Sequence, residues 1–351
     1  MSPLVLDVRL LERLVAAAVA APSLHNSQPW RFTVNVAERT VRLCAEPDRG
    51  LRHSDPTGRA VHVSAGCALL NLRIAAIRSG WEPVTRLLPC PDRPELLATV
   101  RLADALRSPA APWLYEALWR RHSCRLPFSD RPLPAALRVE LAEAAHVEGA
   151  ALFLPGPEET GRLLRLTWDA ERRNRLDADR ATESRRWLRE AGSSGRGIPP
   201  TAVGPQDFQD RLPMRDFGAH RRPAVLPATR FERRPQLALL TTAHDRRTDW
   251  LRAGAALERV LLVATAHDVR GSLLHQALEW DDLRHELGYV TGRAHDHAHM
   301  VIRLGYGPEG PATPRRGVHE AMTTCGDGCR AVPSEALPRG PAHRTDLRGH
   351  G

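Results

Sequence analysis

At 351 residues the chain has room for two domains of about 150 residues or for one large one. Its 42% apolar but only 5% aromatic content lets Leu, Val and Ala build the core, which suits an α-rich or α+β protein and argues against an all-β one. The formal charge is +9, yet all 50 basic residues are Arg and they alternate with 41 acids along the whole length; unclustered charge of this kind argues against a nucleic-acid partner.

The elements follow in chain order. Residues 6–20 repeat apolar side chains at Leu10, Leu11, Leu14, Val15, Ala18 and Val19, a helical period, and Pro22 stops that helix. Segments 31–36 and 40–44 alternate inward and outward around Ala37-Glu38-Arg39 and predict a hairpin. A second helix is expected over 58–79, with Val61, Ala65, Leu69, Leu72 and Ala76 on one stripe and Gly80 as its stop. Strands are expected over 83–88 and 96–102, and a first half over 1–110. The second half, 111–322, opens with an amphipathic helix carrying Trp113, Leu114, Leu118 and Trp119. Further helices are predicted over 135–145, 158–191 and 250–267, with strands over 236–242 and 300–304. The stretch 192–235 is rich in Gly, Pro and Arg, and a loop of that length inside a compact protein reads as a lid or as disorder. Residues 323–351 read as a flexible tail.

Six cysteines (Cys44, Cys67, Cys90, Cys124, Cys325 and Cys329) lack zinc-type spacing, and a chain this long needs no disulfides to fold. Residues 14–21 look like a short signal core, but Asp7 and Glu12 precede it where basic residues belong. No apolar run reaches 18 residues, so no membrane span is expected. A cytoplasmic protein is the expectation.

Two segments place polar groups where local structure gives no reason for them. Between Pro22 and Trp30 runs Pro22-Ser23-Leu24-His25-Asn26-Ser27-Gln28-Pro29-Trp30. A turn held by two prolines can converge Ser23, Asn26 and Gln28 on a heteroaromatic ligand; equally, Ser and Asn there can cap their own backbone. In Arg120-Arg121-His122-Ser123-Cys124-Arg125 the side chains of Arg121, Ser123 and Arg125 share one side of an extended segment. They would make a clamp for a phosphate or polyhydroxyl chain, and on composition alone a solvated basic helix end is the plainer reading. The tract His295-Asp296-His297-Ala298-His299 is read as a surface turn in preference to a metal site. Cys325 and Cys329 are read as part of the tail in preference to a redox pair, and Asp169 and Glu171 as solvated helix acids. No metal site and no catalytic triad is expected.

The string Pro-Ser-x-x-Asn-Ser-Gln-Pro-Trp after a helix resembles the flavin-contacting segment of nitroreductase-family flavoproteins, and Arg-x-Ser-x-Arg resembles the segment with which that family's chains begin. The combined arrangement is similar to the Acg-type branch, in which two nitroreductase-like halves form one long chain. Gly66-Cys67-Ala68-Leu69, Pro213-Met214-Arg215-Asp216-Phe217, Arg303-Leu304-Gly305-Tyr306-Gly307 and Thr313-Pro314-Arg315-Arg316 agree with it. The likeness covers residues 8–322.

The resemblance implies an α+β nitroreductase-like fold of two fused halves, an intrachain pseudo-dimer. Each half keeps a motif that the other lacks, so one flavin site survives, at the junction, and no second copy of the chain is needed. Arg121 and Arg125 would meet the FMN phosphate and the pyrimidine edge. Ser123 would bind the phosphate or ribityl chain, and Arg315 with Arg316 would close on the phosphate. Pro22, Ser23, Leu24 and Asn26 would line the ring, and His275 and Gln276 would offer backbone N–H groups near N5. The implied activity is hydride transfer from NAD(P)H through FMN to a small nitro, quinone or related acceptor. The alternative is an FMN-sequestering protein with a lid over its pocket.

Overall fold

The computed structural model describes residues 7–104, 112–188, 195–217, 227–293 and 296–324. The chain opens with α1 (Val8–Val19), the hairpin β1 (Trp30–Asn35) and β2 (Thr40–Ala45), helix α2 (Arg59–Arg78), and strands β3 (Trp81–Leu87) and β4 (Leu96–Asp104). Helices α3 (Pro112–Arg120) and α4 (Ala135–Val147), strand β5 (Ala151–Phe153), and helices α5 (Pro157–Leu176) and α6 (Ala178–Arg186) follow. Short strands β6 (Gln206–Asp207) and β7 (Ala228–Thr229) lead to β8 (Gln236–Thr242), α7 (Arg247–Ala266) and β9 (Arg270–Leu274). Last come α8 (Asp281–Tyr289), β10 (His297–Gly305), α9 (Val318–Ala321) and β11 (Met322–Thr324).

The architecture is α+β, with one main sheet drawn from each end of the sequence. The first has the order β11-β1-β2-β4-β3 and the second β5-β8-β10-β9. All ladders in these two sheets are antiparallel except that of β11, which lies parallel to β1. Through β11 the last described residues complete the sheet begun by the first.

Local signals set the elements. The Asp7 carboxylate accepts from the Leu10 N–H at 2.7 Å and caps α1. The apolar stripe of α1 is buried as its spacing predicts. Asp55 accepts from the N–H groups of Ala60 and Val61 at 2.9 and 3.0 Å and holds the start of α2. By length and composition α2 could cross a membrane, but it is a core helix, most of it buried. Its principal partner is α7, itself buried along most of its length.

Several expectations need correction. The helix predicted over 158–191 breaks at Asp177, which leaves the helical conformation and accepts from the N–H groups of Asp179 and Arg180 to start α6. Glu171 is buried, not solvated, and accepts from the Asp216 N–H at 3.1 Å. The tail was placed two residues too early, since Thr323 and Thr324 pair with β1. Residues 297–299 begin β10 instead of a surface turn, and the His299 ring is buried 2.6 Å from the Thr242 hydroxyl. His295, Cys325, Cys329, the remainder of the tail and the boundary at 110/111 lie outside the described residues, as do residues 192–194 and 218–226 of the expected insertion. Cys44, Cys67, Cys90 and Cys124 are free thiols.

Candidate functional site

After Pro22 the chain turns sharply. Residues 24–26 form a short 3-10 turn in which His25 and Asn26 have φ of 51° and 55°, with Gln28 at 51°. Three left-handed non-glycine residues this close together mark a conformation that the surroundings must enforce. The enforcing contacts come from distant segments. The Asn26 amide donates to the carbonyls of Gly197 and Pro314 at 2.9 and 2.8 Å, and its oxygen accepts from Arg315 at 3.1 Å. Gln28 donates to the Gly195 carbonyl at 2.8 Å and accepts from the Arg316 N–H at 2.9 Å. Gly195 is at φ +62°, and a Cβ there would lie 2.5 Å from the Arg315 carbonyl oxygen, so only glycine fits this junction.

The second segment lies along the edge of the second sheet. Ser123 forms a parallel bridge with Gly271 of β9, and the Cys124 N–H donates to the Gly271 carbonyl at 2.9 Å. This makes 121–125 extended, the condition under which Arg121, Ser123 and Arg125 face the same way. All three line one cavity with Pro22, Ser23, Leu24, Asn26, His275 and Arg315. Its walls are drawn from α2, α7, β9 and the stretch 195–217, and so from both halves of the sequence.

Its electrostatics are unbalanced. Arg121, which is buried, donates to the Ala20 carbonyl at 3.0 Å and faces Glu258 of α7 at 3.3 Å without hydrogen-bond alignment. Arg315 shares the Ala20 carbonyl at 3.2 Å. Burial, and then the neighbouring Arg121, push the Arg315 pKa down to about 9. Arg125 donates to the Ala202 carbonyl at 2.7 Å and stands over the Phe217 ring. Burial, and then Arg215, push its pKa down to about 10. Arg121 and Arg315 thus share Glu258 as the carboxylate beside them, and burial raises the pKa of Glu258. Such a site favours an anion, which would relieve both the desolvation and the mutual repulsion.

Two expected residues stand elsewhere. Gln276 does not line the cavity; its amide donates to the Pro213 carbonyl at 2.9 Å and fixes the start of the 213–217 stretch. Arg316 lines an adjoining groove together with Arg121 and Arg315. Its guanidinium is held by Glu46 at 2.8 Å and by the Trp30 carbonyl at 3.0 Å. His275 is in the cavity wall, with its ring between Glu279 at 3.0 Å and Arg59 at 3.3 Å.

Sequence reasoning missed Ile198, Phe217, Arg215, His25 and Glu258 as wall or charge partners of the cavity. Pro213-Met214-Arg215-Asp216-Phe217 stood out as a motif, but its position against residues 22–26 depends on a long-range packing that no local signal carries. Glu258 lies within an apolar helical run, and an acid there was the available hint.

No family model matches the chain. Two curated proteins of Mycobacterium tuberculosis, Rv3131 and acg, both named "Putative NAD(P)H nitroreductase", are similar along almost their whole lengths. The first is 29% identical over 323 residues, 90% of this chain and 92% of that protein. The second is 27% identical over 333 residues, 89% and 95% respectively. The chain is thus similar over most of its length to proteins named as putative NAD(P)H nitroreductases, acg among them. Among solved structures, the FMN-dependent nitroreductase NfnB from Mycobacterium smegmatis in complex with NADPH covers 60% of this chain and 98% of its own, at 16% identity and a TM-score of 0.38. A nitroreductase with bound FMN from Bacteroides fragilis covers 62% and 97%, at 14% identity and a TM-score of 0.34. The similarity to the curated proteins extends over about 90% of the chain.

Proposed function

We infer that the cavity binds one FMN and that the chain is an FMN-dependent NAD(P)H oxidoreductase acting on a small acceptor such as a nitro compound or quinone. The observation that carries this reading is the meeting of Arg121, Ser123, Arg125 and Arg315 with the 22–26 turn in one cavity. The donor set fits the cofactor. Buried guanidiniums short of carboxylates suit a phosphate and the electron-rich pyrimidine edge of a reduced flavin. The Ser123 hydroxyl suits a phosphate or ribityl oxygen, and the apolar walls from Leu24, Met214 and Leu257 suit a flat ring. Bound FMN supplies the hydride chemistry.

The protein's own part is to bind and orient. Arg121 and Arg315 are fixed on the Ala20 carbonyl, so they need not reorganise to meet negative charge. Arg316, tied to Glu46, holds the adjoining wall in place. Asn26 acts by fixing the turn, because its amide and oxygen are both committed within the chain. No side chain is required as general acid, base or nucleophile.

A second reading, a protein that sequesters FMN with little turnover, draws support from Ile198, Met214, Arg215 and Phe217 lining the cavity. A nicotinamide would have to share the cavity with these side chains. Two titrations test the assignment and separate the readings. FMN should bind more tightly than riboflavin, by about tenfold or more for a charge-assisted phosphate contact; equal affinities would refute the phosphate assignment. Anaerobic NADPH should then bleach the bound flavin promptly in an oxidoreductase and leave it oxidised in a sequestering protein.

A further inference from the structure

His25 sits on the cavity wall, is only 4% exposed, and meets the Phe217 ring edge-on at 5.2 Å. Its Nε2 lies 2.8 Å from Nη1 of Arg215. A guanidinium has donors and no acceptor, so Nε2 must accept, and the hydrogen of the neutral ring must reside on Nδ1. Burial, and then Arg215, hold the His25 pKa well below its usual value, which keeps the ring neutral. Arg215 is held in turn by Glu279, whose carboxylate also takes the His275 ring. The result is a tautomer fixed by a chain of buried groups.

The Nδ1 atom itself is buried and has no partner among the described residues. Leaving a buried N–H unpaired costs free energy, and here that cost adds to the left-handed backbone at the same residue. Both features are explained if the ring serves a bound molecule. We propose that His25 is a fixed hydrogen-bond donor of the cavity, presenting Nδ1–H to an acceptor oxygen, carbonyl or nitro, of the bound ligand. That oxygen belongs either to the flavin or to a second molecule sharing the cavity. The flavin arm rests on the function proposed above; the second arm does not.

The test compares the wild type with His25→Phe and His25→Asn. Phe keeps a flat ring against Phe217 but has no N–H. Asn tolerates the left-handed backbone and carries an amide N–H close to the place of Nδ1. FMN and nitrobenzene are titrated separately by calorimetry into each chain. The expected result is a loss of about fivefold to tenfold in affinity for one of them in His25→Phe, the worth of an ordinary hydrogen bond, restored in His25→Asn. Loss for FMN assigns the oxygen to the flavin; loss for nitrobenzene alone assigns it to the second molecule. Affinities for both that stay within about twofold in a folded His25→Phe overturn the proposal.

A wild type that takes no FMN, yet loses nitrobenzene on His25→Phe, removes the flavin reading and leaves the His25 assignment standing. Uptake of neither probe overturns both. The nitrogen shifts of the His25 ring in the wild-type chain need no variant. An Nδ1–H tautomer that moves on addition of a probe is expected. An Nε2–H tautomer, or an Nδ1–H unmoved by either probe, overturns the proposal.

Discussion

Gly66 and Gly254 meet backbone to backbone where α2 crosses α7. A Cβ built on Gly66 would lie 2.1 Å from the Leu251 carbonyl oxygen, and one on Gly254 would lie 2.0 Å from that of Val63. The Cys67 thiol donates to the Gly254 carbonyl at 3.1 Å at the same place. This crossing sets the spacing between Val63, Ser64 and Cys67 on one side of the cavity and Leu257 on the other.

Gly66→Ala should therefore act through the backbone of the partner helix, where no flexible side chain can give way. The expected cost is about 3 kcal/mol, the upper part of the range for overpacked cores. Denaturant unfolding measures it, and a loss below about 0.5 kcal/mol, the level of an indifferent substitution, would contradict the close approach.

Arg121 and Glu258 form a buried pair, with side chains 3% and 0% exposed. Removing the cation alone strands the carboxylate. Arg121→Ala should cost about 3–5 kcal/mol, and adding Glu258→Gln should recover much of that loss. Equal stability of the single and double variants would mean that the pair is not coupled. Among the described residues Arg125 has no such carboxylate beside it, so Arg125→Ala should leave stability much nearer the wild type.

Glu171 makes stability depend on pH. Burial, opposed by Arg215 and reinforced by Asp216, pushes its pKa from 4.5 up to about 7. Between those values the folded chain keeps a proton that the unfolded chain has lost. Its contribution is therefore full below pH 4.5 and is lost as pH rises toward 7. Glu171→Gln should flatten that part of the stability profile, as read by thermal unfolding across the same window. An unchanged slope would assign the effect to other groups.

Much of the fold was legible because its signals are local. The stripe of α1, the alternation of β1 and β2 and the apolar run of β8 each follow from a periodicity within a dozen residues. Short or irregular pieces were not. Strand β5 is three residues long, β9 contains Gly271 and Ser272, and Asp177 interrupts a helix whose charge pattern continues past it. The cavity was legible in part for the same reason. The 22–30 and 121–125 strings are contiguous and chemically unusual. Arg215 and His25 are brought together by packing across 190 residues, and no periodicity records that. The Gln276 side chain is turned to the Pro213 carbonyl, another long-range contact that no local signal carries.

The most direct test of the central claim is the flavin content of the purified full-length chain, read from its absorption spectrum and from the flavin released on denaturation. A yellow protein holding one FMN per chain, with Arg125→Ala folded but depleted of flavin, is the predicted result. A colourless chain that also refuses added FMN would contradict the account.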